Sequence, residues 1–208
     1  ILNRFAKPIM PNDDELIGLD EIIELISVSL HKDDMSNAVL TADAGVGKTA
    51  TMQEYAKRYP NVLVYTISIA AMNERKALAK NLEMLFDELM EFKTDERTDK
   101  EIIIFIDEFH QWPMFSKESV ESLKPQLARS AKMGIHIIGA TTYDEYIEHI
   151  QPNKALTDRF PRINIPSPND ETVYQILKNK MHKQNTVVET DASNAILRKI
   201  IHNSNIHM

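Results

Sequence analysis

Cysteine is absent from the 208 residues, so neither a disulfide framework nor a thiolate metal site can be built, and a reducing, cytoplasmic setting is expected. No run approaches the roughly 18 to 20 apolar residues that cross a bilayer. The N-terminus also lacks the apolar stretch of a signal peptide, so no membrane partner is expected. Basic residues are in deficit: 24 Lys and Arg stand against 31 Asp and Glu, a net charge of −7, which disfavours a surface that clings to nucleic-acid phosphates. Glycine is scarce, five residues in all, so two glycines close together carry information. What is present is 43% hydrophobic and 26% charged residues, the balance of a folded globular chain. The chain opens on Ile1 rather than Met and is read as a piece of something longer.

Short apolar runs alternate with segments of helical periodicity. Buried strands are expected at Asn37 to Thr41, Val62 to Ile67, Ile102 to Ile106, Ile135 to Ile138 and Arg162 to Ile165. Helices are expected over 15–31, 48–59, 74–92, 117–132 and 142–150. Five strands with helical crossovers imply a mostly parallel sheet covered on both faces. After Pro166-Ser167-Pro168 the strand pattern stops, and two helices, near 169–184 and 191–202, predict a small helical appendage.

The chemistry concentrates at strand ends. Ala42-Asp43-Ala44-Gly45-Val46-Gly47-Lys48-Thr49 follows the first expected strand and opens a helix, matching the phosphate-loop pattern GxxxxGK[ST] except for Ala42 in place of the first glycine. Gly47 lets backbone N–H groups approach phosphate oxygens at a helix N-terminus, Lys48 supplies a point charge, and Thr49 offers a hydroxyl to Mg²⁺. Ile102 to Ile106 ends in Asp107-Glu108, at the strand end where ligands of parallel sheets sit. Asp107 suits a metal, and Glu108 suits polarisation of an attacking water. Ile135 to Ile138 leads into Gly139-Ala140-Thr141-Thr142, whose hydroxyls can face a γ-phosphate. Arg159, just before the fifth strand, reads either as a surface arginine paired with Asp158 or as part of the same chemistry.

With these residues in view, the chain resembles an AAA+ ATPase module, most closely the first ATPase domain of the Clp-type unfoldases and disaggregases. The resemblance runs from the entry segment Leu16-Ile17-Gly18 through the Walker A loop, the Walker B run Ile103 to His110, the Leu123-Lys124-Pro125-Gln126-Leu127-Ala128-Arg129 helix, the sensor run Gly139 to Tyr146, and Ala155 to Phe160. It implies an α/β P-loop NTPase fold: a five-stranded parallel sheet sandwiched by helices over residues 1–168, then a partial helical lid over 169–208. Leu16, Ile17 and Gly18 would line the base. Asp43, Ala44, Gly45, Val46, Gly47, Lys48, Thr49 and Ala50 would hold ATP or ADP, with Thr49 and Asp107 on Mg²⁺. Glu108 would activate water, Thr142 would sense the γ-phosphate, and Arg159 would act in trans on a neighbour's nucleotide. The implied partners are further copies in a ring and a protein substrate that a chaperone remodels.

Three departures from the family pattern stand out. Leu19 replaces an arginine of the entry segment, and Asp158 replaces the first of two arginine fingers. The segment Ile69-Ala70-Ala71-Met72-Asn73-Glu74-Arg75 lacks the pore-loop aromatic; Met72 is either its substitute or a buried filler. The departures keep two other readings open: an AAA+ loader or mobile-element ATPase acting on nucleic acid, and an ATP-binding scaffold with little hydrolysis. The seven histidines show no metal-ligand spacing and are read as packing or surface residues. Met84, Leu85, Leu89 and Met90 are expected in the core, and Trp112 and Phe115 either pack or form a surface contact.

Overall fold

The computed structural model describes residues 2–12, 16–32, 36–95, 98–116, 120–121, 124–183, 194–195, 197–199 and 201. Its sheet contains β1 (Ala6–Pro8), β2 (Ala38–Thr41), β3 (Val62–Ser68), β4 (Glu101–Asp107), β5 (Ile135–Thr141) and β6 (Arg162–Asn164), in the spatial order β1-β3-β4-β5-β2-β6. The five expected strands, β2 to β6, pair in parallel. The structure adds a sixth, β1, antiparallel to β3 with Ala6 opposite Ile67 and Pro8 opposite Tyr65. Three residues including a proline carry no strand pattern of their own. An edge accommodates Pro8 because its missing N–H costs no ladder bond there.

The isoleucine runs work because strand side chains alternate between faces. Ile102, Ile104 and Ile106 of β4 join Ile135 and Ile137 of β5 on one face, under Leu82, Leu85, Phe86 and Leu89 of helix Leu78–Thr94 and beside Trp112. Ile103, Phe105 and Ile138 face the other way, under Ile22, Ile23 and Ile26 of helix Asp20–Leu30 and Met52 and Tyr55 of helix Lys48–Arg58. Burying each such side chain contributes about 1.5–3 kcal/mol, so both faces of the central strands are held by apolar packing.

Several boundaries move. The first major helix begins at Asp20 rather than 15. The helix expected over 74–92 is a short 3₁₀ turn, Glu74–Lys76, followed by Leu78–Thr94. The segment expected helical over 142–150 is an α turn, Tyr143–Glu145, continuing into a π turn, Tyr146–Ile150. The 117–132 helix is described over 120–121 and as Lys124–Ala131. Of the appendage, Asp170–Lys183 forms as expected; the next helix is described only at 194–195, 197–199 and 201, all helical.

The aromatic-free segment opens as a helical turn that turns Ile69 and Met72 inward. Ile69–Met72 is a helical turn whose N-cap, the Ser68 hydroxyl, accepts from the Ala71 N–H, and Met72 is 0% exposed within the core. The reading of Met72 as a substitute gripping residue is therefore withdrawn, and the buried alternative holds. Leu85, Leu89, Met90 and Trp112 are buried, whereas Met84 and Phe115 are 42% and 44% exposed.

Candidate functional site

The loop after β2 is built for close approach. Gly45 and Gly47 take φ of 80° and 105°, a left-handed region that costs an L side chain energy, and Gly47 caps helix Lys48–Arg58. Backbone N–H groups of the first helical turn therefore point into the open space beyond β2. The Lys48 ammonium donates to the carbonyls of Ala42 and Asp43 at 3.4 Å each, long bonds that a phosphate oxygen can readily outcompete. Ala42 is buried at the end of β2, where it tolerates the absence of glycine.

Beside this loop lies a cleft of about 890 Å³. Leu16, Ile17, Gly18 and Leu19 line one wall, and Gly45, Val46, Gly47 and Ala50 form the floor. Thr172, Val173, Ile176, Leu177 and Lys180 of helix Asp170–Lys183 close the opposite side. The mixture of an apolar pocket with loop amides suits a flat base joined to phosphates. The Ser167 hydroxyl donates to Asp43 Oδ2 at 2.5 Å, which ties the segment leading to this helix onto the phosphate loop.

The tips of β4 and β5 stand at the same edge. Asp107 and Glu108 are exposed, and the Glu108 N–H donates to Asp107 Oδ1 at 3.1 Å. Glu108 adopts φ 54°, a strained conformation for a non-glycine residue, of the sort that collects at reacting centres. Phe109, next in the chain, lies so close over Gly139 of β5 that a Cβ there would meet the ring at 2.4 Å. Thr49 and Asp107 offer the hard oxygen donors that Mg²⁺ takes, so the residues present fit that ion.

After β5, Thr142 caps the helical turn in a reciprocal capping box: the Glu145 N–H donates to the Thr142 hydroxyl, and Glu145 Oε2 accepts from the Thr142 N–H at 3.0 Å. The Thr141 hydroxyl donates to the same carboxylate oxygen at 2.8 Å. Burial pushes the Glu145 carboxyl up. Hydrogen bonds from Thr142 and Thr141, with the His110 charge, outweigh that and hold it at about 2. His110, 8% exposed, places Nδ1 3.0 Å from Thr141 Oγ1 and 3.2 Å from Glu145 Oε2, with Nε2 3.7 Å from Glu108 Oε2.

Sequence reading missed this network. The Thr142-x-x-Glu145 spacing is a visible capping-box signal, but nothing local connects His110 to Thr141, which lies 31 residues away. The histidines show no metal-ligand spacing along the chain, yet the fold brings donor atoms of Glu108, His110 and Glu145 within 4.8 Å of one another.

Arg159 is not brought to this edge. It precedes β6, donates from Nη1 to the Ala155 carbonyl at 3.0 Å, and lines a cavity with Ser36, Asn37 and Lys132 at the amino ends of the strands. β2 alone, four residues long, separates the two ends by about 13 Å.

Fold and site together define a P-loop ATPase module: a mostly parallel sheet with a glycine-bent phosphate loop, acids on the adjacent-but-one strand tip, and a helical cover over a base-sized cleft. The profile of the ATPase family associated with various cellular activities (AAA) matches residues 38–167, and the chain belongs to that family. It is 32% identical to the chaperone protein ClpB of Dichelobacter nodosus, over 83% of this chain and 21% of the relative, and 34% identical to ClpB of Lactiplantibacillus plantarum, over 80% and 20%. The chain thus spans about a fifth of the length of these curated relatives. A solved S. cerevisiae Hsp104–ADP complex has a similar fold, with a TM-score of 0.71 at 24% identity, covering 88% of this chain and 27% of that one. An S. cerevisiae Hsp104:casein complex likewise gives 0.71 at 21% identity, over 88% and 33%.

Proposed function

We propose that this module binds ATP and hydrolyses it with Mg²⁺, and that a ring of such modules couples the reaction to remodelling of a protein partner. One observation carries the reading: the Gly45–Thr49 loop, the Asp107-Glu108 tip and the Thr141-Thr142 tip converge on one edge of the sheet beside a covered cleft. In this reading Leu16, Ile17 and Gly18 face the base, the Asp43–Ala50 loop amides and Lys48 bind phosphates, and Thr49 and Asp107 hold the metal. Residues 1–168 form the nucleotide-binding part and 169–208 the start of a lid. Bound Mg²⁺ supplies charge neutralisation on the phosphate oxygens.

Glu108 then accepts a proton from the attacking water as a general base. The Thr142 hydroxyl serves its own helix cap, so contact with a γ-phosphate has to share or loosen that cap, which makes the turn responsive to the phosphate. Arg159, at the far end of the sheet, reaches a phosphate only on a neighbouring copy packed head to tail. The relatives named as chaperones and the casein complex of a similar fold support a protein substrate. The net charge of −7 disfavours nucleic acid. Turnover by the full-length protein with unfolded protein or single-stranded DNA added tests the reading: stimulation by protein alone is expected, and stimulation by DNA alone contradicts it.

A further inference from the structure

We infer that His110 is a positioning residue that fixes the Glu108 carboxylate and links it to the segment after β5; the inference rests on Glu108 being the water-activating base. Glu145 is a carboxylate and can only accept, so the Thr141 hydroxyl spends its proton on it at 2.8 Å. The Thr141 oxygen can then only accept from His110, and the 3.0 Å contact fixes a proton on Nδ1. With Nδ1 committed on one edge of the ring, Glu108 is held only by a second proton on Nε2, which lies 3.7 Å from Glu108 Oε2, so the positioning form of the ring is the imidazolium set between the Glu145 and Glu108 carboxylates. His149 stacks against the ring with centroids 5.8 Å apart, which holds its plane.

The three groups act here as a relay: Glu145 Oε2 already accepts from the Thr141 hydroxyl and the Thr142 N–H, which ties it to the segment after β5. The Glu108 backbone is pinned at both ends: its N–H donates to Asp107 and its carbonyl accepts from Gln111 N–H at 3.0 Å. Only the side chain is left to be aimed, and His110 is the buried group facing it. Loosening of the Thr142–Glu145 cap passes through Thr141 and Glu145 to the ring, and through the ring to Glu108.

The test separates the two edges of the ring. In the full-length protein, His110→Asn places an amide near Nδ1 and nothing at Nε2, whereas His110→Gln places an amide near Nε2. His110→Asn is expected to lower kcat by about tenfold or more with KM and ADP affinity unchanged, as for a misplaced base, and His110→Gln is expected to recover much of it. Added to Glu108→Gln, His110→Asn is expected to have no further effect. Glu145→Gln, which keeps the cap but drops the charge, is expected to lower kcat in the same way and serves if His110→Asn fails to bind ADP. Equal kcat losses in His110→Asn and His110→Gln, or normal turnover in His110→Asn or Glu145→Gln while Glu108→Gln is dead, overturn the relay alone. Normal turnover by Glu108→Gln overturns the assignment of Glu108 and the relay with it.

Discussion

The two ends of the sheet differ in what they can do alone. At the carboxyl ends of β2, β4 and β5 a single chain brings a bent loop, a lysine, two acids and a threonine cap to one edge of the sheet, with a cleft beside the loop. At the amino ends it offers Arg159 bonded to its own helix turn, about 13 Å away along β2. In the proposed reading one copy carries the nucleotide-binding half, and its Arg159 serves a neighbour. That reading needs a second copy, its amino end set against the first copy's carboxyl end.

That contrast can be broken most severely at the carboxyl end. Glu108→Gln is expected to slow single-turnover hydrolysis by on the order of 10² or more while ATP still binds. Lys48→Ala is expected to weaken ATP and ADP by about 2 kcal/mol, some 30-fold, read by titration calorimetry, because it deletes the charge that meets the phosphates. Equal ADP affinity would show that the loop is not the phosphate site.

Legibility followed how local each signal is. The five parallel strands could be read because isoleucine runs such as 102–106 bury both faces. The phosphate loop could be read because Gly45 and Gly47 must stand beside Lys48 and Thr49 in sequence. β1 could not, since Ala6–Pro8 becomes a strand only through pairing with β3. The place of Met72 is not legible locally, because burial of one methionine depends on a helix that packs from elsewhere. His110 and Glu145 escaped notice as partners because only the fold sets β4 and β5 side by side.

Smaller effects sharpen the comparison by testing the scaffold under the carboxyl end. Gly139→Ala is expected to destabilise by about 1–3 kcal/mol in a denaturant melt, since its Cβ would lie 2.4 Å from the Phe109 ring. Glu145, held at about 2 against an ordinary 4.5, stabilises the fold fully above pH 4.5 and loses that contribution as pH falls toward 2. The stability gap between the natural sequence and Glu145→Gln should therefore be widest near neutrality and shrink below pH 4.5. A gap that stays constant down to pH 2 would mean the carboxylate is not held by these bonds.

The central claim is that ATP at one copy's carboxyl end is completed by the finger at another copy's amino end. Mixing Glu108→Gln subunits, which keep the finger, with Arg159→Ala subunits, which keep the base, tests it most directly through ATP turnover of the assembled protein. In a randomly mixed head-to-tail ring about a quarter of the interfaces pair an intact base with an intact finger, so turnover should rise well above that of either variant alone. Turnover of the mixture no higher than the average of the two separate variants would contradict a finger acting in trans.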